Sequence, residues 1–234
     1  MDAVDAVAWD SVPGHPDWYE PDRAARGLRA LSEATNLVQA AEAGSQLGGG
    51  GLVHDHSGAV FPAAVVAAPL LLDIAERGHP AARDTALALL DEALSFRPQA
   101  GYTRMDAPGG TEMPLCCALA HRLRERADVL PGLGRRGKWL LADASAHWRF
   151  EIRECVAETG DSAAFGLLAG HFPGGVHAAE MHGAGAVTVL GGLVLEYPPT
   201  EGSSEACLRV PGRHPDELPP GAVLTPAKCA NRVP

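Results

Sequence analysis

Apolar residues recur at helical spacing along the first part of the chain. Between Pro21 and Gly44 they fall at every third or fourth position, which predicts an amphipathic helix. Proline suits the first turn of a helix, and the glycines at 48–51 are interpreted as a flexible connector. A second predicted helix covers 63–77, and a third begins at Pro80. Because few residues separate these two helices, we expect them to pack as an antiparallel hairpin.

The same pattern continues downstream. One helix is predicted from Pro114 to about Val129, and a shorter one over 138–144. The segment HWRFEIRECVAETG, residues 147–160, is interpreted as a helix with Trp148, Ile152 and Cys155 on one face and Gly160 as its stop. The following DSAAFGLLAG, residues 161–170, begins the next helix at an Asp cap. Helix pairs of roughly 30 to 50 residues with apolar contact faces are typical of an α-solenoid. The predicted fold class is therefore all-α, an α-α superhelix.

The two ends of the chain do not follow this pattern. Residues 1–20 are predicted to form an irregular N-terminal arm, and residues 21–182 the helical-repeat domain. Residues 183–234 are rich in glycine and proline, which predicts an irregular C-terminal segment. We expect one small hairpin there, with strands at 186–189 and 193–197, followed by a disordered tail. Outside 184–198 we expect essentially no sheet.

Composition agrees with this prediction and restricts the classes of partner. Alanine, leucine and glycine are abundant and aromatic residues make up only 5%, which favours helix packing over sheet. The formal net charge of −10 argues against a nucleic-acid partner. The apolar run 184–195 is too short to span a bilayer, and no apolar leader segment follows the N-terminus. We therefore expect a cytoplasmic protein with no membrane contact.

The five cysteines form no pattern typical of a disulfide framework or a zinc site. Cys116 and Cys117 are adjacent, and neighbours in one helix point in different directions. Reduced thiols are the simpler interpretation of such a set.

Two long segments resemble a known family. The sequence HSGAVFPAAVVAAPLLLDIAERGHPAARDTALALLDEAL is similar to the core of a bacterial HEAT-like helical-repeat family that is common in actinomycetes. The later RFEIRECVAETGDSAAFGLLAGHF resembles a degenerate HEAT repeat. The similarity covers residues 20–172. It implies an α-α superhelix that binds partners and no particular reaction, and the segment 183–234 departs from the family pattern.

Histidines at two places are weak candidates for metal ligands. His54 and His56 flank Asp55 and could bind zinc, but polar residues before a helix commonly cap it. His177 and His182 lie five residues apart, whereas a zinc-protease helix needs histidines four apart. We therefore predict neither a metal nor a cofactor.

A basic segment stands out in this acidic chain. Residues 119–140 hold six basic residues against two acidic ones. A solvated helix face is one interpretation. The other is a surface for an acidic protein partner or an anionic ligand, because arginine is enriched at binding hot spots. The candidate binding residues are Arg122, Arg126, Arg135, Arg136 and Lys138.

No nucleophile elbow, dinucleotide fingerprint or paired CxxC is present, so we identify no catalytic residue. The function that fits best is a non-enzymatic protein-binding scaffold, with immunity-type and regulatory proteins as examples. One alternative is a small-molecule enzyme or lyase of secondary metabolism built on a helical-repeat scaffold. A metal-binding or regulatory module is a third class.

Overall fold

The chain folds into a helical unit followed by a closed six-stranded β-barrel. This computed structural model describes residues 2–106, 112–183 and 186–230. The helices are α1 Asp2–Asp5, α2 Pro21–Glu33, α3 Leu37–Gly48, α4 Ala63–Arg77, α5 Pro80–Ser95, α6 Leu115–Arg124, α7 Gly134–Ser145 and α8 Ala227–Ala230.

The predicted helix between Pro21 and Gly44 is divided into α2 and α3. Ala34 is in an extended conformation, and the Asn36 side chain then caps α3 by accepting a hydrogen bond from the Gln39 amide at 3.0 Å. Leu37, at the start of α3, is 76% exposed. Its apolar character therefore contributes to the periodic pattern without contributing to the core.

The hairpin of α4 and α5 is confirmed, with both helices beginning and ending close to the predicted positions. α4 runs through Pro69, which lies on the exposed side of the helix. The large apolar side chains of the two helices are buried together in one cluster that extends from α2 to α7. This cluster is the core of the helical unit.

Two small pieces of sheet lie within the helical unit. In the first, β1 Val53–His54 pairs with β2 Ala59–Val60, which pairs in parallel with β3 Arg97–Pro98. The second is the hairpin of β4 Arg104–Asp106 and β5 Glu112–Pro114, which leads directly into α6.

The barrel has its own apolar core, separate from that of the helices. Around the barrel the strands follow the order β10, β7, β6, β11, β8, β9, and β9 pairs with β10 to close it. Phe150 and Ile152 of the first strand and Leu208 and Leu224 of later strands are buried inside. The strands are β6 Arg149–Ala157, β7 Asp161–Ala169, β8 His177–Gly183, β9 Ala186–Tyr197, β10 Glu205–Pro211 and β11 Val223–Pro226.

The predicted all-α superhelix is therefore wrong, because a closed barrel follows the helices. The segments 147–160 and 161–170, interpreted as helices, are largely β6 and β7. Phe150 and Ile152 are buried while Arg153 is exposed, which is the period-two pattern of a strand. Gly160, taken as a helix stop, forms the turn of the β6–β7 hairpin at φ +83°.

The C-terminal segment also differs from the prediction. The two short strands expected at 186–189 and 193–197 are one continuous strand, β9. Residues 199–230, expected to be a disordered tail, contribute β10, β11 and α8, while 231–234 lie outside the described residues. The predicted domain boundaries stay predictions. Among the described residues, no helix is both long and apolar enough to cross a membrane.

We expect Leu90→Ala to lower the free energy of unfolding by about 2–5 kcal/mol, because Leu90 is fully buried on α5 and its truncation leaves a cavity. Chemical denaturation measures the change. Leu37→Ala is the matched control and should stay within about 0.5 kcal/mol of the wild type. Equal costs for the two substitutions would contradict the assignment of the core.

Candidate metal centre

Three cysteines and one histidine converge where the helical unit meets the end of the chain. Cys116 and Cys117 lie in the first turn of α6, His147 follows α7, and Cys229 lies in α8. One ligand atom from each residue lies within 4.8 Å of the others, and all four side chains are buried. Among the described residues, this is the group in which three or more metal-ligating side chains lie this close together.

Burial of α6 keeps both of the adjacent cysteines away from solvent. The helix is buried at every position from Leu115 to Ala120, so neighbours that point in different directions both face protein interior. The Leu115 amide donates to the Thr103 carbonyl at 2.9 Å and fixes the start of the helix. Cys116 and Cys117 are 1% and 3% exposed, which removes them from solvent.

The two nitrogen–sulfur distances lie close to those of a tetrahedral zinc site. His147 Nδ1 lies 3.3 Å from Cys229 Sγ and 3.9 Å from Cys117 Sγ. Zinc–sulfur bonds of about 2.3 Å and zinc–nitrogen bonds of 2.0–2.1 Å give ligand-to-ligand separations of roughly 3.5–3.8 Å in a tetrahedron. The observed separations bracket this range. His147 presents Nδ1 to the cluster, so this nitrogen is the one placed to bind.

The thiols shift one another's pKa in opposite directions. Hydrogen bonds from Cys117 and Cys229 lower the pKa of Cys116, because they stabilise its thiolate. The pKa of Cys117 is raised, because its proton is held in hydrogen bonds with Cys116 and Cys229 and because burial disfavours a second charge. Among these thiols the hydrogen bonds therefore favour the thiolate at Cys116, and the thiolate is the form of sulfur that binds metals.

Arg124 supports the site from the last turn of α6. Its Nη1 donates to the carbonyl of His147 at 2.8 Å and to that of Ala144 at 2.6 Å. Burial lowers the pKa of Arg124, and its charge interacts with Cys117. The guanidinium thus holds the backbone of His147 and places a positive charge beside the thiols.

A second polar cluster joins the β4–β5 hairpin to the barrel. Arg104 Nη2 donates to both carboxylate oxygens of Glu180 at 2.7 Å. Glu180 Oε2 lies 3.4 Å from His182 Nε2, which also lies 3.2 Å from Thr225 Oγ1. Glu180, His182 and Thr225 are buried, so this ion pair is shielded from water. Breaking one partner of such a pair is costly.

The four histidines suggested as weak metal candidates lie apart from the cysteine cluster. His54 Nδ1 is hydrogen-bonded to Ser57 Oγ at 2.9 Å, and the His56 side chain is 90% exposed. His177 Nε2 lies 2.9 Å from the Gly174 carbonyl, and His182 belongs to the polar cluster with Glu180. The hydrogen bonds of His54, His177 and His182 are made with the protein's own polar groups.

The five candidate binding residues divide into two groups. Arg122 pairs with Glu125, and Arg126 pairs with Asp73 and Glu76, so their charges are already engaged. The other three lie in the first turns of α7. Arg135 stacks over the Trp139 ring at 4.8 Å, and Arg136 donates to the Asp84 carbonyl at 3.3 Å; Lys138 is exposed.

The cysteine cluster was missed from the sequence. The adjacent pair Cys116 and Cys117 is the one local signal, and the divergence of neighbouring side chains on a helix argues against a shared site. His147 lies 30 residues from Cys117, and Cys229 lies 82 residues from His147. A ligand set spread this widely has no spacing signature, because only the tertiary fold assembles it.

Comparison with known proteins adds no relative: no protein-family model matches the chain, and neither a curated protein nor a solved structure matches it significantly. The resemblance to a HEAT-like repeat family is therefore wrong. The first quoted segment has features that any apolar helical hairpin shares. The second forms the barrel strands β6 and β7.

We expect stability to fall as the pH drops below about 6.5, the ordinary pKa of histidine. Burial lowers the pKa of His182, with opposing contributions from Glu180 and Glu112 and a supporting one from Arg104. The unfolded chain therefore binds a proton before the folded one does, so folding is favoured above this pH and weakened below it.

The check is the free energy of unfolding, measured by denaturant at about pH 7.5 and about pH 5.5. His182→Gln should reduce the loss on acidification, and the exposed His56→Gln should leave it as in the wild type. His121, whose pKa burial also lowers, retains part of the effect. An unchanged loss in His182→Gln would contradict the assignment.

Proposed function

We propose that this protein binds one zinc ion through Cys116, Cys117, His147 and Cys229, and that the ion fastens the end of the chain to the helical unit. The observation that carries the proposal is the convergence of four buried ligand atoms within 4.8 Å. Three thiols and one imidazole form a ligand set used by structural zinc sites.

The chemistry of the ligands favours zinc over other common cations. Calcium and magnesium take oxygen ligands, and the cluster offers sulfur and nitrogen. Thiolates select zinc, copper(I) and iron–sulfur centres, and a tetrahedral set with one imidazole suits zinc. A zinc ion with three thiolates and a neutral imidazole carries one formal negative charge, which the nearby Arg124 guanidinium offsets.

A structural role follows from the completeness of the set. Four protein ligands occupy all four positions of a tetrahedral zinc ion, whereas a catalytic zinc keeps one position for water or substrate. The ligands are also buried, between 1% and 7% exposed. Among the alternatives from the sequence, this supports a metal-binding module over a small-molecule enzyme whose chemistry would need an open metal position.

We expect the purified protein to contain about one zinc ion per chain, measured by inductively coupled plasma mass spectrometry, because the four ligands complete one tetrahedral site. Cys117→Ser and Cys229→Ser should each lose most of this zinc. The matched control is Cys155→Ser in the barrel, which should retain the zinc. The double variant His54→Ala/His56→Ala should retain it as well.

Chelation supplies a second readout of the same site. A strong chelator should lower the melting temperature of the wild type, because a metal that binds only the folded state stabilises it. It should change Cys229→Ser little, since that variant has already lost the ion. Wild-type protein that is free of zinc and indifferent to added zinc would contradict the proposal.

Partner binding, the function predicted from the sequence, is a second candidate supported by α7. Trp139 is 60% exposed, and Arg135 lies over its ring. Tryptophan and arginine are the residue types most enriched at binding hot spots. We propose that Arg135, Arg136, Lys138 and Trp139, the α7 surface, bind an acidic protein segment.

The double variant Arg135→Glu/Arg136→Glu should weaken binding of a poly-glutamate peptide and flatten its salt dependence, because it reverses two charges on the α7 surface. Titration calorimetry at low and moderate salt measures both. The melting temperature should change little, since Arg136 makes one contact to a carbonyl. Arg77→Glu, at the exposed end of α4, is the control; equal effects of both variants would reduce the surface to general electrostatics.

A further inference from the structure

A cleft of about 330 Å³ lies between the N-terminal arm and the small sheet of the helical unit. Its lining is mostly apolar, with Ala59 and Pro98 among the lining residues and a few polar groups. Small-molecule sites in proteins are concave, mainly apolar and begin at roughly this size. The cleft is separate from the proposed zinc site, and none of its lining residues is a ligand there.

One wall of the cleft is an aromatic surface. Trp18 is 42% exposed although its backbone is fixed by a hydrogen bond from its amide to the His15 carbonyl at 3.0 Å. The Trp18 ring lies 5.3 Å from the ring of His54 and 6.4 Å from that of His15. The Glu20 amide donates to the Gly50 carbonyl at 2.9 Å and ties this part of the arm to the helical unit. The indole is thus held in place with a large part of its surface open to solvent.

Arg97, in β3, supplies the charge. Its amide donates to the Gly58 carbonyl at 3.0 Å, so the backbone is held in the sheet while the residue as a whole is exposed. Each of the other arginines in the described part of the chain contacts a carboxylate, a carbonyl or an aromatic ring; the Arg97 side chain has no such partner there. In a chain of net charge −10, an arginine left unpaired at a cleft is a candidate anion contact.

The remaining polar groups of the cleft are already engaged. Ser57 Oγ is hydrogen-bonded to His54 Nδ1 at 2.9 Å, and the buried Gln99 accepts a hydrogen bond from the His15 amide at 3.4 Å. Beside them, Gly58 has φ +64° and no atom within 4 Å of the position that a Cβ would take. The cleft therefore offers open space, a stacking surface and the Arg97 guanidinium, which has no partner among the residues that the structure describes.

We propose that this cleft binds a small aromatic carboxylate, whose ring lies against Trp18 and whose carboxylate pairs with Arg97. Arginine matches a carboxylate with two parallel hydrogen bonds, which fixes the orientation of the ligand as well as its charge. Offset stacking on the indole requires a flat ligand. A one- or two-ring acid has the size that the cleft accommodates.

The test uses the full chain and 2-naphthoate as the probe, with titration calorimetry and saturation-transfer NMR as readouts. Two matched probes separate the contacts: 2-naphthamide keeps the rings and removes the charge, and cyclohexanecarboxylate keeps the charge and removes the aromatic face. We expect 2-naphthoate to bind about tenfold or more tightly than either, because both contacts are needed.

Arg97→Gln should weaken 2-naphthoate about tenfold or more and leave 2-naphthamide unchanged, because the lost contact is to the carboxylate. Trp18→Leu should weaken both naphthyl probes. Arg213→Gln, in the barrel, is the matched control and should bind as the wild type does. Melting temperatures verify folding, and the exposed position of Arg97 keeps that arm of the test valid if Trp18→Leu is unstable.

Three results would each overturn the proposal. They are no binding of 2-naphthoate at millimolar concentration, equal binding of the acid and the amide, and unchanged affinity for the acid in Arg97→Gln. The zinc content of the protein is independent of all of them, so the failure of one proposal leaves the other standing.

Discussion

The burial of Cys229 among the helices is the interaction that ties α8 to the helical unit. The barrel encloses its own apolar core, and the helices enclose another. Cys229, which follows the last barrel strand, belongs to the core of the helices. The chain thus leaves the helical unit after α7 and forms the barrel. It then places Cys229 back in the core of the helices, while α8 itself packs on β8 and β11. Cys116, Cys117 and His147 lie beside Cys229. The proposed ion and the apolar packing therefore stabilise the same junction.

The sequence predicted the helices that carry clear start and stop signals. α4 and α5 each have a proline at or just before the first helical position, and Gly78 directly follows α4. α2 has a start signal at Pro21 but no stop signal, and its end at Glu33 was not predicted. The prediction failed where one segment fits both the helical and the strand periodicity. Phe150 and Ile152 are two apart, which fits a strand, but Trp148, Ile152 and Cys155 also fit a helical stripe, and the second pattern was preferred.

The barrel was also concealed by its composition. Its strands contain much alanine and glycine, and the turns between them supply glycine and proline. Such a composition suggested a disordered tail, although small residues can be placed inside a narrow barrel and glycine serves its turns. Closure of the barrel depends on the pairing of β9 with β10 and of β11 with β8, and these long-range pairings have no local signature. The metal ligands were missed for the same reason.

Closure of the barrel limits how this part of the molecule can meet another chain. A strand at the edge of an open sheet presents unpaired amides and carbonyls, to which a foreign strand can add. Here every barrel strand has a neighbour on both sides. Where a strand is paired on both sides, as β7 is along most of its length, a protein that contacts the barrel does so through side chains such as the exposed Phe165. Main-chain pairing tolerates almost any extended sequence, and where it is blocked a partner is selected by the shape of the surface.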